Sequence, residues 1–182
     1  MTGLEAIDKL VDLYKKEVNI DHALALIALD VLDCERFVKG YGAAANGGEH
    51  AHHAYPGGLA VHTYEVASIA LDTAKTNSLK VNIPVLLTAA ICHDYKKVED
   101  YDSSGNKTEY RKLVRHLSGS HAWFANKALE YNLLPSLVIE VEHCILAHHG
   151  RQEWGSPIEP QTVEASILHY ADMLSMQYGV GR

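Results

Sequence analysis

A chain of 182 residues can bury a substantial core yet is short enough for one domain. With 47% hydrophobic and 21% charged residues it is neither disordered nor fibrous, and no apolar run approaches membrane-spanning length. A formal charge of −7 argues against a broad nucleic-acid-coating surface, which needs Lys and Arg to replace counterions, but leaves room for a small basic pocket.

Leu4, Ile7, Leu10, Val11 and Tyr14 recur at helical spacing, and Lys15 and Lys16 come late, where the helix dipole favours cations. Asp21 is suited to cap a second helix carrying Leu24, Ile27, Ala28, Val31 and Leu32 on one face, with His22 a surface or capping residue. A Gly- and Ala-rich loop over 40–48 leads to Glu49-His50-Ala51-His52-His53-Ala54-Tyr55-Pro56-Gly57-Gly58, clustered histidines that suit a metal tract or a polar lip. His53 is the candidate there for touching a substrate. Pro56-Gly57-Gly58 opens a third helix over 59–78, and His62 points from its apolar face with Leu59 and Val66.

The next helix, from Ile83-Pro84-Val85 to Ile91, is apolar throughout and stops on His93-Asp94. Burying either group unpaired is costly, and a metal ion is the usual partner. Lys96 and Lys97 follow, within reach of a phosphate oxygen, and 99–107 reads as an exposed turn. A helix over 112–131 carries His116 and His121, which do not share a face at a spacing of five; His121 is chosen as ligand or general acid. Pro135 opens a helix through Val138, Val141, Ile145 and Leu146 to His148-His149, with Gly150 as C-cap and His143 on its surface. Arg151 and Trp154 sit in a rigid loop able to cover a nucleobase. The last helix, over 163–177, brings Asp172 onto an inward face with Ala165, Leu168 and Ala171.

All regular structure reads as helix. The expected fold is an all-α bundle of about six to eight helices, one domain over 1–182, with N-terminal helices over 1–48 and a metal-site core over 49–178. The ligand candidates are His62, His93, Asp94, His121, His148, His149 and Asp172. Imidazole with carboxylate suits one or two ions of Mn²⁺, Fe²⁺, Ni²⁺ or Zn²⁺, with Mg²⁺ an option. Cys34, Cys92 and Cys144 lack metal-type spacing and read as reduced thiols; with no signal pattern over 1–9, the expected location is cytoplasmic.

His62, His93-Asp94 and Asp172 resemble the H…HD…D signature of the HD-domain metal-dependent phosphohydrolases. The resemblance spans roughly 49–178 and is closest to the HD domain of bacterial 3′→5′ exoribonucleases of the YhaM type and their standalone relatives. It rests on His52-His53-Ala54-Tyr55-Pro56-Gly57-Gly58-Leu59, on His148-His149-Gly150 with Glu153-Trp154-Gly155-Ser156-Pro157, and on Leu168-His169-Tyr170-Ala171-Asp172. It implies an all-α fold, a first metal on His62, His93, Asp94 and Asp172, and Asp94 able to bridge to a second. Members with extra histidines resemble dinuclear phosphodiesterases, so a second ion is expected on His121 and His148, with His149 behind them. The chain departs from the family's His-Asp-x-Gly-Lys at Lys96, while Lys97 matches; Met173 and Ser175 stand where acids are common. No RNA-binding barrel is expected in the stretch before the motif, which favours small substrates.

The expected function is hydrolysis of phosphoester bonds in nucleotides or short, including cyclic, oligonucleotides by a metal-activated water. Asp94, Lys97 and His121 are the catalytic candidates; His53, Lys96, Arg151 and Trp154 are the substrate-binding ones. The rival is a 3′→5′ exonuclease on single-stranded RNA or DNA, marked by a basic groove for which Lys39, Lys107, Arg111, Lys112 and Arg115 are scattered candidates. A nucleotide-binding signalling module without turnover would be marked by a missing ligand, and none is missing. The expected partner is a nucleotide or oligonucleotide, with no membrane and no extended nucleic-acid surface; a homo-oligomer is left open.

Overall fold

The helix ending at His93-Asp94 lies at the centre of the molecule. In the computed structural model, which describes residues 1–19, 22–47, 51–76 and 80–179, it runs Ile83–Cys92 and is buried continuously from Val85 to Cys92. Asn82 caps it, accepting from the Val85 N–H, and Pro84 occupies its first turn, where no N–H is needed. The Asn82 N–H donates to Glu164 (2.8 Å) and its amide to Glu140 (3.2 Å), tying the helix start to the two last helices. A helix surrounded on every side must be apolar all round, and this one is.

In chain order the elements are α1 (Gly3–Glu17), α2 (Ala23–Leu32), α3 (Glu35–Val38), α4 (Gly58–Thr76), α5 (Ile83–Cys92), α6 (Lys97–Asp100), α7 (Glu109–Leu113), α8 (Arg115–Glu130), α9 (Pro135–Ala147), a 3₁₀ turn (Gln152–Trp154) and α10 (Val163–Gly179). The expected all-α class is borne out: no strand is formed among the described residues, where β-type pairing is limited to isolated bridge positions such as Tyr101 with Lys107. Helices α4, α9, α2 and α10 pack around α5, and α1 packs on α4. The buried Tyr14 and Thr88 hydroxyls meet at 2.7 Å, so α1 docks on α5 without an orphaned polar group.

Two local features differ from the sequence reading, and the expected turn gains its details. The cap of α2 is His22, whose Nδ1 accepts from the Leu24 N–H; Asp21, Glu49 and His50 lie outside the described residues, as does the expected end of the third helix at 78. The helix expected over 112–131 is broken at Val114–Arg115, where Arg115 adopts φ 66°, so α7 and α8 have separate axes. The 99–107 turn is built on Asp102, which accepts from the Ser104 and Asn106 N–H groups, and Thr108 then caps α7. Gly58 is obligatory at the start of α4: a Cβ there would lie 2.1 Å from the His53 carbonyl oxygen, so the histidine loop closes directly onto the helix that carries His62. No helix among the described residues is long and apolar enough to cross a membrane.

Candidate metal centre

Three helices deliver a buried cluster: His62 from α4, His93 and Asp94 from the end of α5, and Asp172 from α10, with potential ligand atoms within 4.8 Å of one another. His62 Nε2 lies 3.1 Å from Asp172 Oδ1 and 3.4 Å from Asp94 Oδ2; His93 Nε2 lies 3.4 Å from Asp94 Oδ2 and 3.8 Å from Asp172 Oδ1. Despite these approaches, His62 Nε2, His93 Nε2 and Asp94 Oδ1 make no hydrogen bond. The lone pairs converge on a shared point rather than on each other. Ligand atoms roughly 2.0–2.2 Å from a common ion stand about 3 Å apart, which is the spacing found here.

The other ring nitrogens explain why Nε2 faces inward. Nδ1 of His93 donates to the Ala90 carbonyl (2.8 Å) and Nδ1 of His148 to the Ile145 carbonyl (2.6 Å). His62 Nδ1 donates to Ser175 Oγ (2.9 Å), whose own proton goes to Glu65 (2.9 Å). His116 Nδ1 donates to the fully buried Asp100 (2.8 Å), which also accepts from Arg111 (3.0 Å). Each Nδ1 proton is consumed by an acceptor, so each Nε2 presents a lone pair, the tautomer a metal requires.

His116, His148 and His149 form a second cluster beside the first. His116 Nε2 is 3.3 Å, and His148 Nε2 3.8 Å, from Asp94 Oδ1, while His116 and His149 Nε2 are 3.4 Å apart. Asp94 thus turns Oδ2 to the first cluster and Oδ1 to the second, a carboxylate positioned to bridge two ions.

The electrostatics fit that role. Burial alone would push the Asp94 carboxyl up, but Lys97, His93, His116 and His62 more than reverse it and hold it well below the usual range. Asp172 behaves likewise, burial being outweighed by His62 and His93. Burial, with His149 and His93 beside it, pushes His148 well down; burial and His116 bring His149 to about 4. Both are neutral imidazoles at pH 7, the form that binds metal. Lys97 lies 2.6 Å from Asp94 Oδ2, nearly enclosed. A cleft of about 900 Å³ opens over both clusters, with Trp154 stacked on His169 at its rim (centroids 6.0 Å apart, planes at 29°).

An HD domain model matches residues 59–177, the segment holding every one of these groups. The chain belongs to the HD domain family. It is 34% identical over 125 residues to the 3′-5′ exoribonuclease YhaM of Bacillus licheniformis and to that of Bacillus subtilis, matches covering 68% of this chain and 40% of each relative. The Geobacillus YhaM is 33% identical over 126 residues. The chain thus spans about two-fifths of the length of the curated relatives it matches. No solved structure gave a significant match.

Within this HD domain, six of the seven sequence-chosen ligands come together: His62, His93, Asp94, His148, His149 and Asp172. His121 does not. It sits at the α8–α9 contact, a third exposed, with Nε2 3.4 Å from Glu142, and His116 holds the inward place. At 100° per residue the two point about 140° apart, and the break before Arg115 aims the first turn of α8 at the cluster. An alanine at 121 is therefore expected to leave bound metal and turnover within about twofold of the parent, whereas His116→Ala, which removes a candidate ligand itself, is expected to lose more than the roughly 10–100-fold in affinity typical of a residue behind a ligand, read at the second cluster by metal analysis after dialysis.

The expected substrate residues divide similarly. Lys97 and Trp154 line the cleft. His53 is fully enclosed, bonded to Glu65 (3.1 Å), and its neighbour His52 faces the cleft instead. Lys96 turns away to Glu99 and the Tyr95 ring, and Arg151 is exposed beside Glu153 and over the Trp154 ring. Asp100, Ser175, Glu65 and His169 carry no role in the sequence reading, yet the structure places them against the site. Asp100 reads from the sequence as part of an exposed acidic turn; its full burial and its contacts with His116 and Arg111 distinguish it from Glu99, which is partly exposed and pairs with Arg36.

Proposed function

We propose that this chain hydrolyses phosphodiester bonds of nucleotides or short oligonucleotides at a dinuclear centre: His62, His93, Asp94 and Asp172 hold one ion, and Asp94, His116, His148 and His149 the other. The observation that carries this reading is the single Asp94 carboxylate shared by two sets of inward-facing Nε2 atoms. The nitrogen and carboxylate donors fit Mn²⁺ or Fe²⁺, with Ni²⁺ and Zn²⁺ as competitors. Bound ions of this kind supply Lewis acidity and lower the pKa of water to near neutrality. Lys97, fixed by Asp94 at the cleft, adds a positive charge beside the transferring phosphoryl group. With His121 outside the cleft, no general-acid role is assigned to it. Trp154 on His169 offers a flat face for a base.

A second reading, a 3′→5′ exonuclease on single strands, is favoured by the similarity to enzymes named as 3′-5′ exoribonucleases. The test is chromatographic product analysis with Mn²⁺-loaded protein on nucleotides and cyclic dinucleotides and on short single-stranded RNA and DNA, with a His93→Ala/Asp94→Ala blank. Turnover confined to the nucleotides supports the first reading; a ladder of shortened strands with released mononucleotides supports the second. Bound metal without turnover on either overturns both.

A further inference from the structure

Behind the first cluster stands a carboxylate that the ligand set does not use. Glu65 follows His62 by three residues on α4, with its side chain 14% exposed. Burial alone would push its carboxyl up, but hydrogen bonds from His53 and Ser175 more than reverse this and keep it ionised. Ser175, fully buried three residues past Asp172 on α10, lies 2.9 Å from Glu65 Oε2 and 2.9 Å from His62 Nδ1. A hydroxyl has one proton and an ionised carboxylate can only accept, so the directions are fixed. Ser175 donates to Glu65, His62 Nδ1 donates to Ser175, and His62 Nε2 keeps its lone pair for the ion.

His53 holds Glu65 from the other side, its Nε2 3.1 Å from the same Oε2. That contact is kept at a cost. His53 adopts φ 52°, in the left-handed region, its side chain is wholly enclosed, and its Nδ1 has no partner among the described residues. The Gly42 N–H pins its carbonyl (2.9 Å), and the close approach of Gly58 leaves the loop no room to relax. The two clusters then share one plan. Each has an imidazole backed by a backbone carbonyl, His93 or His148, and one backed by a carboxylate: His116 directly on Asp100, His62 on Glu65 through a hydroxyl. A carboxylate behind a ligating imidazole fixes the ring and strengthens it as a donor. We propose that Glu65, clamped by His53 and acting through the Ser175 hydroxyl, is the positioning residue that sets the affinity of the first ion. This rests on the dinuclear reading and deepens it: the two ions are tuned separately, one by Glu65 and the other by Asp100. His53, chosen from the sequence to touch a substrate, works from behind the metal instead.

The test reads metal binding apart from hydrolysis. Mn²⁺ is titrated into a His116→Ala background, where only the first cluster is complete, and free Mn²⁺ is followed by its solution EPR signal. Glu65→Gln keeps the shape and drops the charge; Ser175→Ala removes the hydroxyl. Each is expected to weaken the ion about tenfold, the low end of the 10–100-fold range for groups behind a ligand, because a hydroxyl intervenes. Since one acts through the other, the two together should also cost about tenfold, where independent effects would multiply to about a hundredfold. Without metal, in EDTA, Ser175→Ala should melt with its parent. Mn²⁺ affinity unchanged in Glu65→Gln, losses that multiply, or an early melt of metal-free Ser175→Ala overturns the relay, whatever the hydrolysis shows. The expected binding pattern in a protein that cleaves no phosphodiester overturns only the phosphodiesterase reading.

Discussion

An Asp94→Asn variant is expected to lose hydrolytic activity by about 10³-fold or more, since on the proposed reading several kcal/mol of charge stabilisation depend on ions that this residue would hold. Among the described residues no other side chain approaches both clusters with separate oxygens: Oδ2 lies 3.4 Å from His62 and His93 Nε2, and Oδ1 lies 3.3 Å from His116 Nε2. Asparagine keeps the shape but offers one weaker neutral oxygen, so both ions lose a ligand. It also strips the buried Lys97 ammonium of its closest partner, and breaking such a pair costs about 3–5 kcal/mol. An Asp94→Asn/Lys97→Met variant removes the orphaned charge and is expected to recover most of the thermal stability with none of the activity. Metal content, melting temperature and turnover on one preparation check this; an active, metal-loaded Asp94→Asn protein would refute the bridging role.

The second large effect is expected at Asp100, which touches no inward-facing lone pair. Its Oδ2 accepts from His116 Nδ1 at 2.8 Å and from Arg111 at 3.0 Å, so it fixes the tautomer and direction of a second-cluster ligand. Loss of such a carboxylate behind a metal-binding imidazole typically costs 10–100-fold in affinity or activity. Asp100→Ala is expected to fall in that range and to retain close to one ion per chain instead of two, because the first cluster does not involve His116. Asp100→Asn keeps an oxygen that can accept the His116 proton and should recover part of the loss. Metal stoichiometry separates this positioning role from a general loss of fold: a destabilised protein would lose both ions together.

Much of this molecule is legible along the chain because it is encoded locally. The all-α class follows from apolar residues at helical spacing, and α5 announces itself as central by being apolar on every face. His93 and Asp94 stand out because a buried helix ends on two groups that need a partner, and His148-His149 because they end another helix just before a glycine. What the chain order left open was rotation and long-range pairing. Choosing between His116 and His121 requires the direction of α8, which depends on a break at Arg115 that no proline or glycine marks. His52 rather than His53 faces the cleft because His53 is drawn inward to Glu65. Asp100 and Ser175 acquire meaning only from partners 16 and 113 residues away. Burial of the helices that carry the chemistry is written along the chain, and so is the pairing of a buried helix end with two polar groups; which imidazole of α8 turns inward, and which neighbours orient each ring, follows from packing between segments, which sets hydrogen-bond direction and helix phase.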